Sequence, residues 1–368
     1  MGLSVGIVGL PNVGKSTVFN ALTKTQSAQA ANYPFCTIEP NKAIVPVPDT
    51  RIDKLSSLIT PEKVMYSTIE FVDIAGLVKG ASKGEGLGNQ FLSNIKEVEV
   101  ILHMTRCFED ENITHVEGDI NPLRDVEIID SELIFSDLQS IERKIEKLAR
   151  LAKGDKKVAS ALEMAKKIHA HLEELKPIKI FDALEDKDFI EINKELRFLS
   201  NKKVIYIGNI TEDDLLEPTK NAHYQALSNY AKEQDEDIVS ICAKIEEELI
   251  SLSDKEAKEY LNELGIESSG LEKIIKISFD TLGLMSYFTA GVKEVRAWTI
   301  HKDTLAPKAA AAIHNDFEKG FIKAEVVAYN DFVECESEAK AKELGKLRIE
   351  GKEYIVQDGD IMHFKFNV

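Results

Sequence analysis

The chain has 368 residues, room for two or three domains, and its 43% hydrophobic and 30% charged residues can bury a sizeable core. A formal net charge of −17 excludes loose nucleic-acid binding over the whole surface, but not through a local basic patch. No apolar run approaches the ~18 residues of a membrane span, and Cys36, Cys107, Cys242 and Cys335 form no close pair that would suggest a disulfide frame or a zinc site, which suits a reduced, cytoplasmic setting.

The first nine residues are apolar and lack a basic leader, so they read as a buried strand rather than a signal peptide. Residues 4–9, 68–73, 99–104 and 203–208 are continuous apolar runs, the pattern of parallel strands covered on both faces. Directly after the first run comes Gly9-Leu10-Pro11-Asn12-Val13-Gly14-Lys15-Ser16-Thr17, which matches the phosphate-loop pattern G-x-x-x-x-G-K-[ST] and precedes a helical run. In such a loop successive backbone N–H groups cradle phosphates, and the helix N-terminus adds favourable dipole charge. The expected phosphate set is Asn12, Val13, Gly14, Lys15, Ser16 and Thr17, with Lys15 reaching the β- and γ-phosphates and Ser16 ligating Mg²⁺.

Asp73-Ile74-Ala75-Gly76 closes the second strand in the pattern D-x-x-G. Asp73 is placed to hold Mg²⁺ through a water, and the Gly76 N–H to meet the γ-phosphate. Between the two motifs lies Tyr33-Pro34-Phe35-Cys36-Thr37, whose Thr37 is the natural second protein ligand of the metal. The stretch 77–88 carries Gly80, Gly84, Gly86 and Gly88, and is the expected place for a segment ordered by the γ-phosphate.

An insertion, 131–200, separates the third and fourth strands. Leu138, Ile141, Ile145, Leu148 and Ala152 step by three and four, a turn signal follows at Lys153-Gly154-Asp155, and Val158, Leu162, Ala165, Ile168 and Leu172 resume the step. This predicts an antiparallel helical hairpin sharing one apolar seam. Between 143 and 167 nine basic residues face three acidic ones, a local charge of +6 that is either a solvated face or a contact for RNA phosphates.

The strand 203–208 leads into Asn209-Ile210-Thr211-Glu212, where a GTPase ordinarily shows N-K-x-D. The lysine position is Ile210 and the aspartate position is the longer Glu212. Adenine offers an acceptor at N1, so Glu212 must either turn aside for ATP or reach guanine with altered geometry; the residues alone leave both open. Ser240-Ile241-Cys242-Ala243-Lys244 resembles the S-A-K loop, so Ser240, Cys242 and Ala243 join Asn209, Ile210 and Glu212 as the candidate base site. The tail, 280–368, reads as a small mixed α+β domain with strands at 294–300, 323–328, 346–349, 354–356 and 361–366 and a helix at 309–320.

Taken with Asn32–Asn41, Asp73–Leu77, His115-Val116-Glu117-Gly118, Asn121-Pro122 and the Asn209/Glu212 pair, the chain resembles the YchF branch of the Obg-related P-loop proteins over nearly its whole length. The resemblance implies an α/β fold: a Ras-like P-loop NTPase domain (1–130 and 201–279), a helical coiled-coil insertion (131–200) and a C-terminal β-grasp TGS domain (280–368). It implies a preference for ATP over GTP, Mg²⁺ as cofactor, a cytoplasmic setting and the ribosome as partner, met through the basic hairpin and the TGS domain.

A Ras-type enzyme positions its attacking water with a Gln after D-x-x-G. Here that position is Leu77, which implies slow intrinsic hydrolysis or another group at the water. Two candidates stand out: Asn12 as a ligand of K⁺, and His103 at the end of the third strand as a catalytic residue. The competing readings are a regulatory ATPase, a true GTPase, and a binding module gated by nucleotide with little turnover.

Overall fold

The structure is a computed structural model that describes residues 3–29, 41–74, 87–151 and 156–367. Its strands are β1 (Ser4–Val8), β2 (Lys42–Pro46), β3 (Lys63–Met65), β4 (Thr68–Asp73), β5 (Val100–Arg106), β6 (Lys203–Asn209), β7 (Asp237–Ile241), β8 (Leu284–Ala290), β9 (Glu294–His301), β10 (Phe321–Val327), β11 (Arg348–Glu350) and β12 (Ile361–Phe366). The helices are α1 (Lys15–Gln29), α2 (Thr50–Ile59), α3 (Leu87–Glu97), α4 (Pro122–Leu151), α5 (Lys156–Glu173), α6 (Lys187–Leu196), α7 (Ala222–Glu233), α8 (Ala243–Leu249), α9 (Asp254–Glu263), α10 (Gly270–Thr281), α11 (Ala306–Ala311), α12 (Asn315–Lys319), α13 (Tyr329–Cys335) and α14 (Glu338–Glu343). None of the described helices is long and apolar enough to cross a membrane.

The chain divides into two compact units, Met1–Ala21 with Phe71–Leu271, and Leu22–Glu70 with Glu272–Val368. In the first, β4, β1, β5, β6 and β7 lie side by side in that order. β1 pairs parallel with β5, β5 with β6, and β6 with β7. Every residue of β1 and β5 is buried, as their unbroken apolar runs predict. Parallel pairing brings the loops after β1, β5, β6 and β7 to one end of the sheet, the usual binding edge of such folds.

The insertion is helical as its periodicity predicts. Ile141, Leu148, Ala165, Ile168 and Leu172 are buried in one seam, with Leu138, Ile145, Val158 and Leu162 packed against it. The predicted turn at 153–155 lies outside the described residues. α4 begins at Pro122, so the expected boundary at 131 falls within a continuous helix.

The second unit is a mixed sheet in the order β11-β10-β12-β8-β9-β3. Within segment 22–70, α2 and β3 pack with the tail: Ile52 and Leu55 of α2 bury beside Phe288, Val295, Val327 and Phe332, and β3 pairs parallel with β9, while β2 lies beside β4. The predicted helix 309–320 is two helices, α11 and α12, the second capped by the His314 side chain accepting from the Asp316 N–H. The predicted strand 354–356 is a single bridge, Leu305 to Ile355.

Candidate nucleotide site

The loop between β1 and α1 is held in a shape that its sequence is suited to adopt. Asn12 has φ of 63° and Gly14 of 104°, and a Cβ on Gly14 would stand 2.6 Å from Asn209 Nδ2. Only glycine fits both the backbone angle and the close approach. α1 opens with the Val18 N–H donating to the Gly14 carbonyl at 3.1 Å, which leaves the preceding amides at a helix N-terminus.

Lys15 is buried, and its Nζ donates to the Leu10 carbonyl at 2.6 Å. Burial lowers its pKa to about 8, with the Asp73 carboxylate pulling the other way. Asp73, ending β4, is raised by burial and lowered by the Lys15 charge. The two therefore share one electrostatic environment. Val13 is buried, Thr17 is half-buried, and Ser16 is exposed on the first turn of α1. Thr37 and Gly76 lie outside the described residues, as do Leu77 and most of 77–88.

Asn209 ends β6 and ties the site together. Its Nδ2 donates to the Val13 carbonyl at 3.0 Å, and its Oδ1 accepts from the Ala243 N–H at 3.1 Å. An expected base contact thus also braces the phosphate loop against the loop after β7. One amide hydrogen and one lone pair remain for other partners. Ile210 is buried and its N–H donates to the Ile241 carbonyl at 2.8 Å. Glu212 is exposed. Ser240 is half-buried, while Cys242 and Ala243 are buried at the start of α8.

His103 is in the wall of the sheet, 1% exposed, opposite Val8 on β1 and Tyr206 on β6. Burial first, and the Lys15 charge second, lower its pKa to about 3, so it is a neutral imidazole. Its Nε2 has no hydrogen-bond partner among the described residues.

Two features are not read from the sequence as part of the site, although His115 stands in one of the motifs that carry the family resemblance. Arg106, 1% exposed, donates from Nε to Phe108, from one terminal nitrogen to Ile113 and from the other to Asp110, all backbone carbonyls at 2.8–3.0 Å. It thereby fixes the loop after β5, whose Thr114 carbonyl accepts from Asn12 Nδ2 at 3.1 Å. Next to Thr114, the buried His115 accepts from the Glu117 N–H at Nδ1 (3.2 Å) and so donates from Nε2 to Asp125 at 3.0 Å. His115 is thus held next to the residue that accepts from Asn12, while His103 feels the Lys15 charge from within the sheet. The Asn12 amide nitrogen is engaged there, whereas a K⁺ would take the amide oxygen, and no observation supports that ion.

Comparison with known proteins follows the same lines. A family model described as a 50S ribosome-binding GTPase matches residues 4–137, and the model of the YchF GTPase C-terminal region, described as a protein of unknown function, matches 284–367. The ribosome-binding ATPase YchF of Pasteurella multocida is 53% identical over 369 residues, covering all of both chains. The chain belongs to the YchF family. The ribosome-binding ATPase YchF of Bacillus subtilis is 49% identical, again over the full length of both. Among solved structures, the YchF GTPase of Schizosaccharomyces pombe is 39% identical, with a TM-score of 0.88 over 99% of this chain and 98% of that one. The likeness to this YchF structure takes in the P-loop region and the C-terminal region together, which fits the α/β fold class expected from the sequence.

Proposed function

We propose that this YchF-family chain is a ribosome-binding ATPase, hydrolysing ATP to ADP and phosphate with Mg²⁺ and working in the cytoplasm. The observation that carries the choice of base is the site after β6. Where a guanine reader needs a lysine and an aspartate, the chain has the buried, backbone-locked Ile210 and the exposed Glu212. An exposed glutamate can turn into solvent and leave adenine N1 unopposed. The YchF proteins of Pasteurella multocida and Bacillus subtilis are named ATPases, which agrees.

The Ser16 hydroxyl and the Asp73 carboxylate are hard oxygen donors of the kind Mg²⁺ takes, and both belong to the end of the sheet that carries Lys15. With Thr37 they would hold the ion, which when bound supplies positive charge to the β- and γ-phosphate oxygens. Lys15 adds a second cation there, and the Gly76 N–H is placed by its motif to meet the γ-phosphate. Leu77 offers the attacking water no hydrogen bond, so turnover is slow until a partner completes the site. The C-terminal unit serves as a TGS-type module that helps dock the protein.

An affinity panel with Mg²⁺ tests the base assignment. ATP should bind more tightly than GTP, and Ile210→Lys with Glu212→Asp should shift preference toward GTP. Tighter GTP binding by the unmodified protein overturns the reading. Leu77 also favours a second reading, a binding module gated by nucleotide with little turnover. Single-turnover hydrolysis decides between them: acceleration by ribosomes supports the ATPase, and an equally slow rate with and without them supports the module.

A further inference from the structure

α3 and α4 flank a half-open cavity of about 210 Å³, lined by Leu92, Ser93 and Lys96 of α3, Ser136, Asp137, Gln139, Ser140 and Arg143 of α4, and Leu199. At about 30 Å³ per water it has room for a tetrahedral anion with solvent. The four α4 residues Ser136, Gln139, Ser140 and Arg143 follow the spacing i, i+3, i+4, i+7, so they form one stripe. The opposite stripe, Ile134, Ile141 and Leu148, is the apolar seam against α5. Two packed helices ordinarily bury apolar residues on both sides of a seam. Here the side toward α3 carries hydroxyls, an amide and two cations instead.

The charges in the cavity are unequally engaged. Asp137 is its single acid, and both its oxygens are taken. Oδ1 accepts from the Leu199 N–H at 2.8 Å, while Oδ2 accepts from the Ser200 N–H at 2.8 Å and the Ser200 hydroxyl at 2.7 Å. Lys96 is half-buried and Arg143 exposed; the Lys96 charge acts on Asp137 from a distance, but among the described residues neither side chain has a close ion pair or hydrogen bond. Two cationic donors and three hydroxyls around a small cavity suit an anion with several acceptor oxygens.

We propose that this cavity is an oxyanion site that takes a phosphate group, apart from the phosphate loop. The phosphate is either a phosphodiester of RNA or that of a free phosphorylated molecule. The RNA case rests on the reading of the basic hairpin as an RNA-facing element. α3 follows directly on the segment 75–86 that contains Gly76, and α4 is the first arm of the hairpin, so an anion bridging Lys96 and Arg143 ties the two elements together.

The test uses the full chain with the nucleotide site filled by Mg²⁺ and ADP. Acetylation of Lys96 is followed by mass spectrometry with inorganic phosphate or with a single-stranded RNA oligonucleotide. Either probe, near ten times its dissociation constant, should slow Lys96 modification by about tenfold. Arg143→Gln should abolish the protection and leave ADP affinity unchanged. Protection by RNA at far lower phosphate concentration assigns the phosphodiester; protection by inorganic phosphate alone assigns a free phosphorylated ligand. No protection by either, or protection that survives Arg143→Gln, overturns the site. The parent reading fails separately. Charge reversal at Lys147, Arg150 and Lys156 that weakens ribosome co-sedimentation while Lys96 stays unprotected keeps the hairpin and removes the cavity. Protection by phosphate with no effect of reversal does the opposite.

Discussion

Burial acts on Lys15 and His103 in the same direction, with opposite consequences. Lys15, lowered to about 8, is still a cation near neutral pH and can meet phosphate charge. His103, lowered to about 3, is neutral at any working pH, and its Nε2 has no hydrogen-bond partner among the described residues. Replacing it with leucine removes an unpaired buried nitrogen, a change worth on the order of 1 kcal/mol toward stability. His103→Leu should therefore raise or keep the unfolding midpoint and leave the hydrolysis rate within about twofold. A large fall in kcat at unchanged ATP affinity would instead establish a catalytic role. The sequence made the phosphate loop readable because its residue types and spacing are dictated by local geometry: a positive φ at Gly14, a lysine, a hydroxyl. It could not reveal the bracing role of Asn209 or the carbonyl clamp of Arg106. Those contacts join residues far apart in the chain, and an arginine at a strand end has many ordinary uses.

Among the elements, the joint between α4 and β6 has a titratable centre. Asp137 is 2% exposed. Burial raises its pKa from 3.8 to about 6, against the lowering effect of its hydrogen bonds from Ser200 and Leu199. The sign follows from linkage. Between these two values the folded chain holds the proton and the unfolded chain has lost it, so stability falls as pH rises through the window. Asp137→Asn removes the buried charge and keeps one acceptor oxygen for the Ser200 segment. Relative to the parent, the variant should gain on the order of 2 kcal/mol in going from pH 4.5 to pH 7. Denaturant midpoints at the two pH values measure this, and an equal difference at both would mean that Asp137 is not titrating there. The helices of this joint were legible from apolar periodicity, since α4 and α5 bury a regular stripe. The place of α2 and β3 was not. It depends on β3, three residues long, pairing with β9 far along the chain, and on two buried residues of α2. Neither leaves a periodic trace that separates them from the sheet preceding them.

At the scale of the whole molecule, charge is distributed against its own average. A chain of net charge −17 is repelled by RNA unless a local region leads the approach, and the hairpin carries +6 between 143 and 167. Ion pairing leaves most of that charge outward: Lys144 is bound to Glu195 and Lys166 to Glu163, while Arg143, Lys147, Arg150, Lys156 and Lys167 are exposed. Arg150 lies 3.7 Å from Glu146, an exposed pair that holds it only weakly. Because α4 and α5 share a seam on their apolar stripe, changes to these outer positions should not disturb the fold. Lys147→Glu, Arg150→Glu and Lys156→Glu together bring the patch to neutrality. If the hairpin meets ribosomal RNA, the triple variant should lose about tenfold or more in co-sedimentation at low salt. Its affinity should also depend less steeply on salt, since fewer counterions are released, and ATP affinity should be untouched. Unchanged co-sedimentation at both low and moderate salt would mean that the basic face serves only solvation, and the approach to the ribosome would then have to come from elsewhere on an acidic surface.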